Sequence, residues 1–439
     1  MTGKFSKNPR LAATVAIERV VHRGQQLNRT LDTALAGHKD ADRQLIAEIV
    51  NGVTRWFWRL DGYASSLVAR PLRRKDRDVH YLLLTGLYQL EFTRVPAHAC
   101  VNETVQAVKE LGKSWAGPFI NAVMREFLLN REEHCAQAQS DDTVRYSHPA
   151  WMIEVLKRQW PEHWSKILQA NNSKPEMFLR VNTSECNVEE YLDILADHDI
   201  PAVADRTSPF GIRLQKRVRV EQLPGFEKGQ VSIQNPASQL VAPLMDFQPG
   251  HRVLDACSAP GGKLLHMLDL CPDLDSVTAV DVDGGRCTEI EDNLHRTGRS
   301  ATVIVADASR PDEWWDGKPF DRILIDAPCS ATGIISKHPD IKHHRRPEDI
   351  EHSVSVQSTL LEALLPLLDS RGKLIYTTCS IVHEENEGQV SDLLRRHPEL
   401  EAESLPESLG MQTGNGRQRL QGVDNSDGFF YAALRCRRQ

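Results

Sequence analysis

Two cysteines fifty residues apart carry the chemistry open to this chain: Cys329 in Asp326-Ala327-Pro328-Cys329, and Cys379 in Thr377-Thr378-Cys379-Ser380. Each follows an apolar run of strand character, Ile323-Leu324-Ile325 before the first and Leu374-Ile375-Tyr376 before the second. Ligands of open parallel sheets bind beyond the carboxyl ends of the strands, so both thiols are expected in one pocket. A thiol there is a nucleophile candidate, and a pair fits a reaction in which one forms a covalent bond and the other helps to break it. A free thiol titrates near ~8.5, so attack requires a nearby positive potential or a base. Most free cysteines are small buried hydrophobes, and Cys271, Cys287 and Cys436 are read that way.

A second constellation offers a place for a cofactor. Asp255-Ala256-Cys257-Ser258-Ala259-Pro260-Gly261-Gly262-Lys263 follows a strand and opens a helix. Small residues let the backbone approach a ligand, and a helix start presents free N–H groups. Asp281 ends the next strand, where nucleotide-binding α/β folds place a carboxylate for ribose hydroxyls. Asp307, at the end of the third, is a candidate for the amino edge of an adenine. The loop is neither GxGxxG nor a loop ending in GK[ST], which disfavours a dinucleotide or a triphosphate. A bound adenosine without pyrophosphate fits better, and three aspartates at successive strand ends (Asp255, Asp281, Asp307) favour that over a plain Gly-Pro turn.

The elements that must position these groups are legible as period and punctuation. Residues 5 to about 140 read as a helical bundle, with apolar faces such as Leu11, Val15, Ile17, Val20 and Leu45, Ile46, Ile49, Val53, and with breaks at Pro96 and Gly117-Pro118. Residues 146–230 read as a small α+β segment with strands at 178–182, 212–214 and 218–220 and a helix at 188–198. From 231 strands and helices alternate, with strands at 253–255, 277–281, 301–305, 322–326 and 373–377 and helices at 285–295 and 349–368. The tail at 428–432 reads as an antiparallel edge strand. The predicted fold class is thus a doubly wound, mostly parallel α/β Rossmann-like domain at 231–439, preceded by an all-α domain at 1–145 and an α+β linker subdomain at 146–230.

Composition narrows the setting. The chain has 439 residues, 40% hydrophobic and 26% charged, with no run of about eighteen apolar residues, so a globular protein without a membrane span is expected. Lys4, Lys7 and Arg10 precede no apolar leader, so no secretory signal is read. Nine cysteines without a CxxC pair fit free thiols in a reducing cytoplasm better than disulfides or a zinc site. Net charge is −7, yet residues 1–145 hold 21 Lys+Arg against 16 Asp+Glu (+5), leaving 32 against 44 (−12) for the rest. The basic front is a candidate nucleic-acid face. Arg70, Arg73, Arg74, Lys75 and Arg77 form one run, with Arg55 and Arg59 beside Trp56, Phe57 and Trp58; the alternative is a solvated helix end next to buried aromatics. Lys337, His338, Lys342, His343, His344, Arg345 and Arg346 follow the Cys329 loop and are expected to hold a substrate strand, with Lys216, Arg217 and Arg219 extending the track. These histidines lack carboxylate support at metal-ligand spacing, so no metal is expected. The acidic residues of His383-Glu384-Glu385-Asn386 suit a helix start by dipole alone and receive no catalytic role.

Taken together, Cys257 to Lys263, Asp326-Ala327-Pro328-Cys329-Ser330 and Thr377-Thr378-Cys379-Ser380 resemble the cofactor loop and two cysteine motifs of the RNA cytosine-C5 methyltransferases, the NSUN/Fmu group. Gln234-Asn235-Pro236-Ala237-Ser238-Gln239 resembles that family's upstream element, with Asn235 where Asp is usual, and 427–432 resembles its closing strand. The helical front, with Ala99-Cys100-Val101-Asn102-Glu103 and Asn121-Ala122-Val123-Met124-Arg125, resembles the NusB-like domain of the bacterial subfamily known as Fmu, Sun or RsmB.

The resemblance implies an S-adenosylmethionine-dependent methyltransferase acting on carbon 5 of a cytosine in small-subunit (16S) ribosomal RNA, cytoplasmic and monomeric. It implies Cys379 as the nucleophile at carbon 6, Cys329 as the helper of product release, and Asp326 on N3 and the exocyclic amine. The cofactor residues it implies are Cys257, Ser258, Ala259, Pro260, Gly261, Gly262, Lys263, Asp281, Asp307 and Asp326. Cytosine-C5 enzymes of DNA use the Pro-Cys thiol as nucleophile, so motif chemistry alone leaves Cys329 and Cys379 interchangeable. The acceptor of the carbon 5 proton is Cys329, a carboxylate or water. The target base must leave its stack, and Pro328 with Ala331-Thr332-Gly333 are candidates to line its pocket. The rival readings are an RNA-binding ribosome-assembly factor and a methyltransferase for another RNA position.

Overall fold

The computed structural model describes residues 6–437; residues 1–5 and 438–439, the ends of the expected first and last domains, lie outside the described residues. The chain forms two compact units. One runs up to Ser173 and also takes in Ile335–Arg345; the other comprises Lys174–Ile334 and the residues from Arg346 onward.

In the first unit, helices Pro9–Arg23, Asp40–Leu67, Arg77–Phe92, Ala97–Glu110 and Ala116–Leu129 enclose a core that includes Ile17, Val20, Ile46, Leu83, Ile120 and Phe127. Local signals set the ends. Asn8 accepts from the N–H groups of Arg10 and Leu11, Pro9 opens the first helix, and Gly24 closes it in the left-handed region. Gly117-Pro118, read as a break, lies in the first turn of a helix, where proline's missing N–H costs nothing. Helix Asp40–Leu67 departs from helical geometry at Trp56 (φ −103°, ψ 19°). The Ser147 hydroxyl is inserted there, accepting from Arg59 N–H (3.4 Å) and donating to the Arg55 carbonyl (3.3 Å). Residues up to Ser173, including helices Ala150–Gln159 and Trp164–Asn171, cluster with this bundle.

The second unit begins with a small antiparallel sheet: β1 (Met177–Val181), β2 (Ala202–Ala204), β3 (Gly211–Leu214) and β4 (Val231–Ile233), in the order β2-β3-β1-β4. An Asn187/Glu190 capping box starts its helix Val188–Asp197. The strand expected at 218–220 does not form; β4 takes the place beside β1, and the polar 215–217 stretch stays exposed.

The main sheet contains β5 (Arg252–Ala256), β6 (Ser276–Asp281), β7 (Thr302–Val305), β8 (Phe320–Asp326), β9 (Leu368–Thr378), β10 (Leu400–Ala402), β11 (Met411–Thr413), β12 (Gly416–Arg419) and β13 (Phe429–Cys436). Strands β7-β6-β5-β8-β9 are parallel, and β13 joins β9 antiparallel. It is antiparallel as expected but is not the edge strand, because β12 and β10 pair along its far side. Alternating residues feed two cores. Leu324, Ile375 and Tyr431 face helices Gly262–Leu270 and Gly284–Thr297, whereas Ile323, Ile325, Leu374, Tyr376 and Phe430 face Pro347–Leu364 and Glu387–Arg396. Both faces are covered, so strands read as continuous apolar runs. Strand order reverses between β5 and β8, which opens a crevice at their carboxyl ends.

Candidate active site

The two thiols meet. Cys329 Sγ lies 3.4 Å from Cys379 Sγ, and both are free cysteines. The adjacency of β8 and β9 brings their loops together: the register pairs Asp326 with Thr377, and Ala327 N–H donates to the Thr377 carbonyl at 2.9 Å. Gly333 N–H donates to the Cys379 carbonyl (2.9 Å), and the Gly333 carbonyl accepts from Gly428 N–H (2.8 Å). A Cβ on Gly333 would stand 2.3 Å from Gly428 O and 2.7 Å from Cys379 O, so this close approach requires glycine. Of the expected pocket lining, Pro328 is exposed, Thr332 is buried, and Ala331 holds a positive φ of 59°.

Asp326 ends β8 within reach of two donors. Lys263 Nζ donates to Oδ2 at 2.6 Å and Thr377 Oγ1 to Oδ1 at 3.1 Å. Burial works against the Lys263 ammonium, but the charge and hydrogen bond of Asp326, followed by Cys379 and Asp255, raise it above the ordinary lysine range. The residue expected to touch the cofactor therefore also braces the carboxylate expected to read the base, and lies within electrostatic range of Cys379. Cys329 is in different company. Its hydrogen bond to Cys379, then burial, then the charges of Cys379 and Glu385 push its thiol well above the usual range.

The cofactor loop leaves β5 at Asp255, which is fully buried. Ser258 Oγ donates to Asp255 Oδ2 (2.7 Å), while Oδ1 has no hydrogen-bond partner. Burial lifts this carboxyl to about 7 against the pull of the Ser258 hydrogen bond. Cys257 holds a positive φ of 60°, and its thiol is pushed up to about 12 by burial and by Asp281, Asp326 and Asp255, so it stays protonated. Gly261 caps helix Gly262–Leu270 at φ 90°, a conformation glycine adopts without strain. Asp281 ends β6 and receives Ala259 N–H on Oδ2 (3.0 Å) and Asp283 N–H on Oδ1 (3.1 Å). Asp307 lies two residues beyond β7, where Ser309 donates to Oδ1 through both N–H (2.9 Å) and Oγ (2.7 Å) and holds the carboxyl below its usual range.

Two expectations about basic residues are corrected. Lys342, His343 and His344 were expected to hold a substrate strand, but Ile335–Arg345 is packed into the helical unit. Lys342 is 1% exposed and its Nζ donates to Arg55 O (2.6 Å), Ser147 O (2.8 Å) and Asn172 Oδ1 (2.9 Å). His343 stacks on Trp58 at 4.5 Å and bonds the Thr54 carbonyl (2.8 Å), and burial lowers its pKa to about 3. His344 bonds the Val20 carbonyl at 2.9 Å. Arg55 is also buried, with Nη2 on Ser336 O (2.8 Å). The apolar partners Trp58 and Phe57 were visible in the sequence, but nothing local showed that a segment some 280 residues away would cover them. Arg70, Arg73, Arg74 and Lys75 are exposed, as are Lys216, Arg217 and Arg219. Among the described residues no group of three or more His, Cys, Asp or Glu could hold a metal, and no helix is long and apolar enough to cross a membrane.

Sequence reasoning also missed Glu385, whose carboxylate is fully buried beside the two cysteine loops. Its stretch of chain read as a helix start, and His383–Glu385 does form a 3-10 turn just before the α-helix Glu387–Arg396, but the helix-dipole reading gave the carboxylate no partners.

A doubly wound sheet with a glycine-bearing loop after its first parallel strand and two thiols after the fourth and fifth defines a Rossmann-like methyltransferase. Three family models match the chain: 16S rRNA methyltransferase RsmB/F over residues 242–435, the ferredoxin-like domain of RsmF/B-like methyltransferases over 148–221, and the NusB family over 7–128. A curated relative, ribosomal RNA small subunit methyltransferase B of Pseudomonas putida, is 44% identical over 97% of this chain and 98% of its own. The crystal structure of PH0851 shares the fold at TM-score 0.80 and 22% identity, covering 99% of this chain and 100% of that one. That of NSun6 from Pyrococcus horikoshii with SFG matches at TM-score 0.60 and 20% identity, over 66% and 99%. The chain belongs to the 16S rRNA methyltransferase RsmB/F family.

Proposed function

We propose that this protein transfers a methyl group from S-adenosylmethionine to carbon 5 of a cytosine in 16S ribosomal RNA, through a covalent cysteine–carbon 6 adduct. The observation that carries the reading is the 3.4 Å contact between Cys329 and Cys379 beside an Asp326 braced by Lys263. The relatives' name supplies the RNA, and the thiol pair supplies the chemistry.

The loop fits the cofactor. Asp255 keeps an unpartnered buried oxygen, a Cβ on Gly262 would meet nothing closer than Gln234 Nε2 at 3.7 Å, and each Asp281 oxygen has a lone pair to spare beyond its one backbone N–H. Cys257 to Lys263, Asp281, Asp307 and Asp326 would hold it, and when bound it supplies an electrophilic methyl group.

The chain's residues do the rest. Carbon 5 of cytosine is a poor nucleophile until a thiolate adds to carbon 6 and makes the ring an enamine. Cys379 makes this bond, within electrostatic range of the Lys263 ammonium, whereas Cys329 is held as a neutral thiol. Asp326 accepts a hydrogen bond from the exocyclic amine, and its fixed position orients the N3 edge of the base for attack. After methyl transfer a base takes the carbon 5 proton, the electron pair of that carbon–hydrogen bond forms the carbon 5–carbon 6 double bond, and Cys379 leaves carbon 6 as a thiolate with the pair of the carbon–sulfur bond. Cys329, in contact with the departing sulfur, assists this release.

The functional territories are 1–145 for RNA binding, 146–230 as a linker and 231–439 for catalysis, with the exposed Arg70, Arg73, Arg74 and Lys75 as phosphate contacts. The protein works as a cytoplasmic monomer. The test is transfer of labelled methyl to 16S RNA by the full chain. Cys379→Ala is expected to abolish transfer and leave RNA binding intact; full activity of that variant would exclude the covalent route.

A further inference from the structure

Glu385 connects the two cysteine loops through the residue that follows each thiol. Its Oε1 receives the backbone N–H of Ser330 (2.7 Å), and its Oε2 receives the hydroxyls of Ser330 (2.5 Å) and Ser380 (2.5 Å). Gln357, on helix Pro347–Leu364, donates one amide hydrogen to Oε1 (3.2 Å) and reaches the Pro328 carbonyl (2.9 Å). Thr332 Oγ1 closes the network, 3.3 Å from Ser330 Oγ and 3.2 Å from Ser380 Oγ, and accepts Ile381 N–H at 3.1 Å.

A buried carboxylate is costly unless its lone pairs are met, and these four donors meet them with neutral groups. Three of the four come from Ser330 and Ser380. If the carboxylate served only the fold, its donors could come from anywhere in the surrounding core; here they come from the residues adjoining the two sulfur atoms.

We propose that Glu385 is a positioning residue of the methyl-transfer reaction, clamping the Ser330 and Ser380 loops so that Cys329 and Cys379 stay in contact through the catalytic cycle. This rests on the proposed function for its reaction, though not for its geometry. The clamp also carries a charge. Glu385 opposes ionisation of Cys329, so the carboxylate bears on one thiol's charge as well as on the position of both. Release of the product requires a Cys329 that does not itself add to carbon 6, and a negative neighbour keeps it protonated.

Glu385→Gln separates clamp from charge. Its oxygen can keep Ser330 N–H and Gln357, and its amide can donate to two serine hydroxyls that rotate to accept, so folding is expected. Glu385→Ala removes both, and Ser380→Ala, a milder lesion, loosens one arm if Glu385→Ala fails to fold. Thiol contact is read with diamide, which takes two electrons and two protons from the cysteine pair to form a disulfide and is itself reduced to the hydrazine. The Cys329–Cys379 cross-link is expected to form about tenfold more slowly in Glu385→Ala and Ser380→Ala. The rate of iodoacetamide labelling at Cys329, followed by peptide mass, is expected to rise at lower pH in Glu385→Gln than in the parent. In methyl transfer kcat is expected to fall about tenfold or more in all three variants with KM for RNA within about twofold. Unchanged cross-linking and unchanged Cys329 labelling in variants that fold would overturn the inference. If the parent protein transfers no methyl but the thiol readouts respond as described, the function is wrong and the clamp stands.

Discussion

Lys263 and Asp326 form an ion pair of 2.6 Å across the mouth of the sheet, joining the end of the cofactor loop to the carboxyl end of β8. The pair is largely enclosed, so one side chain serves two sites: it belongs to the loop that receives the methyl donor and fixes the carboxylate that receives the base.

Lys263→Met is expected to lower the single-turnover rate of methyl transfer by about 10²-fold, the loss that a misplacement of roughly 1 Å in the group orienting the base can bring. RNA affinity should be unchanged, because Lys263 is enclosed at the sheet end. A Lys263→Met enzyme turning over at the parental rate would mean that Thr377 alone orients Asp326.

The division of labour between the thiols is testable by trapping. With RNA and S-adenosylmethionine, Cys329→Ala is expected to accumulate a slow-migrating, denaturant-resistant protein–RNA adduct, and the Cys329→Ala/Cys379→Ala double variant none. An adduct from Cys379→Ala alone would reverse the roles, because the surviving thiol would then be the one bonded to carbon 6.

The parts of the site legible in the sequence are those set by local pattern. Asp255, Asp281, Asp326 and Cys379 follow apolar runs whose period and length announce strands, and a strand end predicts a ligand-facing position. What stayed hidden depends on distant packing. Ser330 and Ser380 reveal nothing about Glu385 until β8 and β9 are adjacent. Lys342 looks like one more cation in a basic run. Its burial follows from the kink at Trp56, which frees the Arg55 carbonyl, and from the positions of Ser147 and Asn172. Burial opposes the charge of its ammonium, and three oxygen acceptors, one for each N–H, favour it. Neither force has a signature in a window of ten residues.

Asp255 gives the protein a pH-dependent stability. Its carboxyl titrates at about 7 in the fold and near ~3.9 in an unfolded chain. Between those values the native state binds the extra proton, so stability is fully present below about pH 4 and is lost as pH rises through about 7. Urea midpoints at pH 5 and pH 8 should therefore separate further in the parent than in Asp255→Asn, which has no proton to lose. Parallel changes in the two proteins would show that Asp255 is ionised throughout.

Gly333→Ala tests whether the contact between the cysteine loops is needed for turnover. The added Cβ would meet two backbone oxygens, Gly428 O at 2.3 Å and Cys379 O at 2.7 Å, neither of which can swing aside as a side chain would. The strain must be relieved by moving the Cys329 loop away from Cys379 or from the segment leading into β13. Overpacking of this kind costs about 1–3 kcal/mol of stability. The larger consequence falls on catalysis, because a displacement of about 1 Å between reacting groups can cost roughly 10² in rate. Gly117→Ala provides the comparison: its Cβ would find only Val105 Cγ1 at 3.8 Å, inside a helix of the other unit. Alanine there is expected to leave activity unchanged and to add slightly to stability. A Gly333→Ala protein that folds, cross-links its thiols with diamide at the parental rate and still transfers methyl groups normally would show that the loops have slack the close backbone contacts do not suggest. Slow cross-linking together with a lowered kcat would tie the 3.4 Å thiol contact directly to turnover.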